Sequence, residues 1–258
     1  MKKKIIFMAL VLAVFFYYVS QHSLDLVPVD LAHRMAPMSS QHPLGTDPLG
    51  RDMMDLLLMG FVRTCLVIFI AGGISLSVGL LAGLLAGYYK GNIALVLHFI
   101  TDFLLICPTF IVALLVTALF GLSPVSAGLS LGLCQMGHFA NHSEEMTESI
   151  LQREYIKILP ILGYPNWLIL LKHILPDVLP MALPFFGSMA SSNILAYASL
   201  AFIGLGSDIT KPDWGTMLYQ YRVYMIESPQ LILWPSLGIF FFALVFHLVF
   251  DTRRLEDQ

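Results

Sequence analysis

Charged residues are scarce in this chain: they make up 12% of the 258 residues, while 57% are hydrophobic. A soluble domain carries about 25% charged residues. With a mean hydropathy of +0.79, the chain has too little polar surface to cover a water-soluble fold. The formal net charge of −3 supplies no basic surface, so we expect no nucleic-acid partner. The composition therefore predicts a protein of the lipid bilayer.

Cysteine is also rare. The three cysteines are Cys65, Cys107 and Cys134, and each lies in an apolar run without a CxxC pair. An odd number of isolated cysteines does not form a disulfide framework, and their spacing does not fit a zinc site. We interpret them as small apolar side chains and expect no metal site in this chain.

Motifs for ATP hydrolysis are missing. A phosphate-binding P-loop requires Gly-Lys followed by Ser or Thr, and no lysine of this chain is followed by either residue. The chain also lacks HExxH, the helical zinc-protease motif. Any ATP hydrolysis linked to this protein must therefore occur in a partner, and an intramembrane enzyme is not expected.

Long uncharged runs dominate the chain. A helix that crosses a hydrocarbon core of about 30 Å needs about 20 apolar residues. The run at 103–143 is too long for one helix, and turn residues at 121–124 divide it into two spans. The first run is not followed by a small-residue cleavage site, so we interpret it as an uncleaved span. The sequence predicts an all-α polytopic membrane bundle of six transmembrane helices, in runs at 5–20, 64–89, 103–143 (two spans), 178–207 and 228–250.

Six spans place both termini on one side of the membrane. Lys and Arg accumulate on the cytoplasmic side, and the side that holds the termini receives more of them than the other side. Both termini are therefore predicted to be cytoplasmic. The chain then divides into a first transmembrane helix at 1–20, an external loop at 21–60, and a transmembrane domain at 61–258 with a cytoplasmic loop at 144–177.

Three glycines in the second run repeat at the spacing of one helix face. Gly79, Gly83 and Gly87 lie four residues apart. Small residues at this spacing let a second helix backbone approach closely. The pattern predicts tight helix packing.

A few polar side chains lie within the uncharged runs or at their edges. Asp102 is an acid without a neighbouring partner of opposite sign, and either proton coupling or bundle packing fits it. His138 and His142 are four residues apart and would share a helix face, as metal ligands sometimes do. A structural or interfacial role and a metal or substrate contact both remain open for them.

The cytoplasmic loop contains two short helix-like stretches around Gly163. The first includes Glu154, Tyr155 and Lys157, and glycine suits the left-handed end of such a helix. The second begins at 166, and we expect Pro176 to stop it. Two short helices between spans are typical of a docking element, but an ordinary connecting loop fits the spacing equally well.

Four stretches of the sequence resemble one protein family. The resemblance extends from about residue 42 to 254, and its first and last stretches are long and specific. The chain is similar to the C-type permease subunit of the oligopeptide/dipeptide/nickel ATP-binding-cassette importers. The matching stretches are HPLGTDPLGRD at 42–52, AGYYKG at 86–91, EYIKILPILG at 154–163 with HILP at 173–176, and SLAFIGLG at 199–206 with PDWGTML at 212–218.

The resemblance implies a type I importer permease in a bacterial cytoplasmic membrane that switches by alternating access. The expected partners are a second, similar permease subunit in a heterodimer, two cytoplasmic ATPase subunits that bind ATP and Mg, and an external or periplasmic substrate-binding protein. This chain itself would hold no cofactor and no catalytic residue. The residues implied to couple it to an ATPase subunit are Glu154, Tyr155, Lys157, Gly163, Tyr164 and Trp167. The chain departs from the family at 157–159, where Glu-Ala-Ala is usual, at Glu144, where Arg is usual, and at Asp177, where Asn is usual.

A short stretch at the start of the last span indicates a cargo. Residues 227–230 and 234–235 look closest to nickel-type members, so we expect a metal ion or small metal chelate, with short peptides as the second candidate. We predict a translocation path lined by Asp102, His138, Met189 and Asn193. The rival function is a secondary transporter or channel that acts without ATPase subunits.

The charge distribution generates a topology prediction. In a background without native cysteines, Lys90→Cys and Gly163→Cys should resist a membrane-impermeant thiol reagent in intact cells, while Thr46→Cys and Trp214→Cys should react. External labelling at position 163 would overturn the topology.

Overall fold

A computed structural model of the chain describes residues 27–205 and 210–250, without the side chain of Leu205. The predicted first span and the tail after residue 250 lie outside the described residues. Within the described ranges the regular structure is helical, and extended pairing is limited to an isolated bridge between Thr46 and Asp52. The fold is the all-α bundle that the sequence predicts.

Ten α-helices follow one another in the described residues, with π-helical turns between some of them. The α-helices are α1 Met53–Ile74, α2 Leu80–Tyr88, α3 Asn92–Ile106, α4 Thr109–Phe120, α5 Pro124–Leu151, α6 Glu154–Ile158, α7 Asn166–Ile169, α8 Leu175–Leu200, α9 Trp214–Tyr221 and α10 Gln230–Phe250. The π-helical turns are Ser75–Gly79, Leu170–Ile174 and Ala201–Leu205.

The first long helix begins at Met53, well before the uncharged run at 64–89. Asp52 caps it, because the Asp52 carboxylate accepts a hydrogen bond of 2.8 Å from the Met54 N–H. Helices α1 and α2 join through the first π-helical turn into one segment of 36 residues, Met53–Tyr88. The last residues of the predicted loop at 21–60 are therefore helical.

The third predicted span is broken in its middle. Helices α3 and α4 meet at an angle of 79°. Pro108 lies at the break. It has no N–H to donate to a helical carbonyl and disfavours a helical Cys107 before it, which is extended. The predicted break at 121–124 is also present, and a capping box between Ser123 and Ser126 starts the next helix there.

Helix α5 is the central helix of the described bundle. It packs against α1, α2, α3, α4 and α8. It continues to Leu151, so the first part of the predicted loop at 144–177 is helical. Because neighbouring helices cover one side of it, α5 can bury serine and glutamine there, as at Ser130, Gln135 and Ser143.

Helix α8 continues where we predicted a stop. Pro176 lies in its first turn, Pro180 and Pro184 lie inside it, and the segment from Asn166 to Gly204 forms 39 helical residues. A proline is tolerated in the first turn because that N–H needs no helical partner. The π-helical turn Leu170–Ile174 precedes it, so the expectation that Pro176 ends the helix is wrong.

Three helical segments are long and apolar enough to cross a membrane: Met53–Tyr88, Asn166–Gly204 and Gln230–Phe250. The bent pair α3 and α4 passes the same test as one broken span. Helix α5 is 28 residues long, about 42 Å at 1.5 Å per residue, and it lies among them.

The glycine face of α2 contacts α5 as the spacing predicts. A Cβ built on Gly83 would lie 2.1 Å from the carbonyl oxygen of Ala140 and 2.7 Å from the Ser143 side chain. A backbone atom cannot turn aside as a side chain can, so only glycine permits this approach. Gly79 and Gly87 meet α5 one turn above and below.

This contact generates a stability prediction. Gly83→Ala should destabilise the protein by about 1–3 kcal/mol, since the added methyl group overpacks a backbone contact. Gly73→Ala is the matched control, because a Cβ there meets nothing within 4 Å. Thermal unfolding in detergent should show a lower midpoint for Gly83→Ala only. Equal midpoints for the two variants would contradict the packing role.

Candidate coupling segment and translocation path

The segment between α5 and α8 is fixed to the bundle through one side. Ile156 of α6, Leu159 after it, and Ile169 of α7 are buried. They belong to a core cluster that also contains Leu80 and Ile150 of the long helices. We call residues 152–174 the coupling segment. Its two short helices sit where the sequence predicts them, around Gly163.

A left-handed turn joins the two short helices. Gly163 has φ = +82°, a conformation that residues with a Cβ adopt at a cost. The Gly163 N–H donates to the Pro160 carbonyl at 3.0 Å, and the Tyr164 N–H donates to the Leu159 carbonyl at 3.1 Å. These bonds close the helix end, as expected for a glycine C-cap. The predicted conformation of Gly163 is confirmed.

The opposite side of the coupling segment presents apolar side chains outward. Ile161 is 83% exposed, Leu162 66% and Trp167 61%. Tyr155 and Tyr164 are also exposed. Ile161 and Leu162 were not among the predicted contact residues. The signal that would have found them is a pair of large aliphatic residues at the tip of a turn between Pro160 and Pro165.

Polar side chains tie the two ends of the coupling segment together. The Arg153 guanidinium pairs with the Asp177 carboxylate, and the Tyr155 hydroxyl donates to the same carboxylate at 3.3 Å. The Lys157 Nζ atom lies 3.6 Å from Glu154 Oε1, and both side chains are exposed to solvent. Asp177, a departure from the family pattern, thus bridges the start and the end of the segment.

Glu144, a second residue that departs from the family pattern, also has a side-chain partner. Glu144 of α5 lies 2.8 Å from Nε2 of His98 on α3. Near the same end of α5, Glu148 pairs with Lys90, in the turn between α2 and α3. These pairs join the turn and α3 to the central helix.

Two of the four predicted path residues, Met189 and Asn193, line the same small space between the helices. Asp102 on α3 and His138 on α5 are exposed, Met189 is half-buried, and Asn193 is buried. The Asn193 amide pairs with the amide of Gln135, which the sequence analysis did not single out. His142 lies against the Phe185 ring at 4.4 Å between centroids. Among the described residues, no three His, Cys, Asp or Glu side chains are placed to hold a metal ion.

A Gly-x-Ser-x-Gly stretch, from Gly128 to Gly132, matches the pattern of a serine-hydrolase nucleophile. That motif requires a sharp strand-to-helix turn, whereas this stretch lies inside helix α5. Ser130 is buried, and its hydroxyl donates to the Ala127 carbonyl at 3.0 Å. The stretch is therefore a helix-packing site.

Two of the family-like stretches meet at the outer end of the bundle, as the predicted topology defines it. The Asp47 carboxylate is buried, pairs with the Arg51 guanidinium at 2.7 Å, and accepts a 3.0 Å hydrogen bond from the Tyr221 hydroxyl. The indole of Trp214 donates to the Leu57 carbonyl at 2.9 Å. Burial raises the pKa of the Tyr221 hydroxyl, which keeps it protonated as a donor.

The second buried carboxylate at this end belongs to Asp213. It accepts hydrogen bonds from the Thr216 N–H at 3.0 Å and from the Tyr197 hydroxyl at 3.1 Å. Burial raises the pKa of the Asp213 carboxyl, and the Thr216 N–H opposes this shift.

Thr46 and Trp214, which we chose as external positions for cysteine labelling, are buried at this end of the bundle. Exposed Leu49 and Lys211 are better cysteine positions for the external side.

Comparison with known proteins assigns the family. Residues 79–252 match the family described as the binding-protein-dependent transport system inner membrane component. The chain belongs to this family. The glutathione transport system permease protein GsiD of Pectobacterium atrosepticum is 33% identical over 216 residues, which cover 84% of this chain and 72% of that protein. The GsiD protein of Escherichia coli is 30% identical, with coverage of 84% and 71%.

Solved structures agree on the fold. An inward-facing form of the MetNI methionine ABC transporter superposes with a TM-score of 0.58 and 18% identity, covering 77% of this chain and 94% of that chain. A second crystal form of the same transporter gives a TM-score of 0.56 and 20% identity.

The chain is therefore a permease subunit of an ATP-binding-cassette importer and a component of the inner membrane. It is a transport component and not an enzyme. A permease of this kind works with ATPase subunits and a substrate-binding protein, so the rival of a transporter without ATPase subunits is set aside.

Proposed function

We propose that the coupling segment docks on a cytoplasmic ATPase subunit and transmits its movement to the bundle. The observation that carries the proposal is the exposed apolar surface formed by Ile161, Leu162 and Trp167, on a segment whose other side is buried in the core. Large apolar side chains exposed at the tip of a loop cost free energy in water and favour a partner surface. A few such anchors carry most of the energy of an interface.

We infer the rest of the assembly from the family and from the charge distribution. A second permease subunit completes the path as a heterodimer, both termini lie in the cytoplasm, and ATP and Mg bind in the ATPase subunits. Closure of the ATPase pair would move the coupling segments and switch the path from inward-facing to outward-facing. The ion pair between Arg153 and Asp177 and the contact between Glu144 and His98 support this transmission, because they hold the segment to α8 and α3 to α5.

For the cargo we propose a short peptide of the size of glutathione. The two GsiD proteins, with 33% and 30% identity, are named as permeases for glutathione. A metal ion or metal chelate is the second candidate, favoured by the nickel-like residues at 227–230. The names of these relatives support the peptide as first candidate, which reverses the order expected from the sequence.

The coupling role generates a mutational prediction at Gly163. Gly163→Val should impair transport and remove the stimulation of ATP hydrolysis by loaded binding protein, because a β-branched residue at φ = +82° is strained. A Cβ at this position meets nothing within 4 Å, so the strain in the variant comes from the backbone conformation and not from a steric clash. Gly163→Asn is the matched control, since asparagine tolerates the left-handed conformation.

The measurement is ATP hydrolysis by the complex reconstituted in lipid, with and without loaded binding protein. Copurification of the permease partner reports assembly. We expect the order glycine, asparagine, alanine, valine in decreasing stimulation. If Gly163→Val retains normal stimulation and normal uptake, the segment is only a connector.

The cargo is tested by uptake in cells that have or lack this subunit. Deletion should abolish accumulation of radiolabelled glutathione or a comparable tripeptide and leave uptake of nickel, cobalt and zinc unchanged. The control is the same deletion complemented with the intact gene. Lost metal uptake with normal peptide uptake would restore the metal as the cargo.

A further inference from the structure

A reciprocal pair of amide side chains lies inside the bundle between α5 and α8. Gln135 Nε2 donates to Asn193 Oδ1 at 2.5 Å, and Asn193 Nδ2 donates to Gln135 Oε1 at 3.0 Å. Asn193 is 1% exposed and Gln135 7%. Among the described residues, these are the side-chain hydrogen bonds that join α5 to α8.

The surroundings of the amide pair are almost entirely apolar. Gly72, Phe139, Phe186 and Met189 line the same space. A hydrogen bond in such surroundings is stronger than in water, and an amide left without its partner is costly. One helix turn away along α5, the Ser75 hydroxyl donates to the Gly132 carbonyl at 3.1 Å and ties α5 to the first long helix.

The amide pair connects the two helices that flank the coupling segment. Helix α5 ends at Leu151, directly before the segment, and α8 begins at Leu175, directly after it. At 1.5 Å per residue, the pair lies roughly 25 Å along each helix from the segment. Closer to the segment the two helices touch through rings, such as Phe139 and Phe185 at 5.0 Å between centroids.

Apolar contacts and amide pairs respond differently to sliding. Ring contacts are non-directional, so they survive small shifts of one helix along the other. A slip of one residue would break both amide bonds at once, because hydrogen bonds weaken steeply with distance and angle. The pair therefore fixes the register of α5 against α8 far from the segment.

We propose that the Gln135–Asn193 pair is a clamp that makes α5 and α8 move as one body when the coupling segment is displaced. The proposal rests on the coupling function proposed above and adds how the movement crosses the membrane. Gln135 and Asn193 are positioning residues in this role and do not touch the cargo.

The first test compares pairs of substitutions. Gln135→Leu with Asn193→Leu removes the hydrogen bonds, while the exchange Gln135→Asn with Asn193→Gln keeps two complementary amides. The readout is cargo transported per ATP hydrolysed by the reconstituted complex. We expect this ratio to fall about fivefold or more in the leucine pair and to recover at least partly in the exchange.

A matched control removes a different interhelical bond. The Ser191 hydroxyl donates to the Ala243 carbonyl at 3.0 Å and joins α8 to α10. Ser191→Ala should leave the transport ratio unchanged, because α10 does not flank the coupling segment. A normal ratio in the leucine pair, or an equal fall in Ser191→Ala, would overturn the clamp.

A covalent bridge tests the clamp without relying on the leucine variants. Gln135→Cys with Asn193→Cys is made in a background where Cys65, Cys107 and Cys134 are replaced. The reduced form should show a lowered ratio, and bridging the two thiols with a short bis-thiosulfonate reagent should restore it. Loss of transport on bridging would mean that the two residues separate during the cycle, which contradicts the proposal.

Failure of the clamp and failure of the coupling function give different results. Normal stimulation in Gly163→Val removes the docking role of the segment and the clamp's function with it. If Gly163→Val is impaired but the reduced Gln135→Cys with Asn193→Cys variant transports a normal amount of cargo per ATP, the clamp proposal is wrong and the coupling function stands.

Discussion

The backbone contact between α2 and α5 is the interaction on which the described bundle depends. Gly83 brings its Cα so close to the Ala140 carbonyl that a methyl group has no room. In a bilayer, helices gain little from hiding apolar surface, so close van der Waals packing supplies the association. This contact holds the first long helix against the central helix. Helices α3, α4 and α8 then pack around the central helix, and the coupling segment is fixed below it.

Several buried polar side chains lie where helices meet and are held by defined hydrogen-bond partners. At the outer end, Asp47 is held by Arg51 and Tyr221, and Asp213 is held by Thr216 and Tyr197. In the middle, Gln135 and Asn193 hold each other. Buried polar groups without partners are expensive, and paired ones specify a single arrangement of the helices. Such an arrangement suits a transporter that moves rigid groups of helices.

The coupling segment combines a fixed side with an exposed side. Ile156 and Ile169 are buried in the core, while Ile161 and Trp167 face outward. In the coupling role proposed above, a displacement applied at the exposed side would be passed to α5 and α8. The Gly163 turn sets the angle between the two short helices. The backbone conformation of this one residue therefore determines how the exposed side chains of the segment are arranged.

The sequence by itself determined the membrane class, the uncharged spans, the glycine face, the Gly163 turn and the family, because each depends on residues close together in the chain. The tertiary structure decided the rest. Asn193 is buried against Gln135 in this structure, and its place in a translocation path stays a prediction. Gln135 lies 58 residues from Asn193, and no local pattern pairs them. The bend at Pro108 and the continuation of α8 past Pro176 show the same limit: a proline ends, bends or starts a helix according to what packs around it.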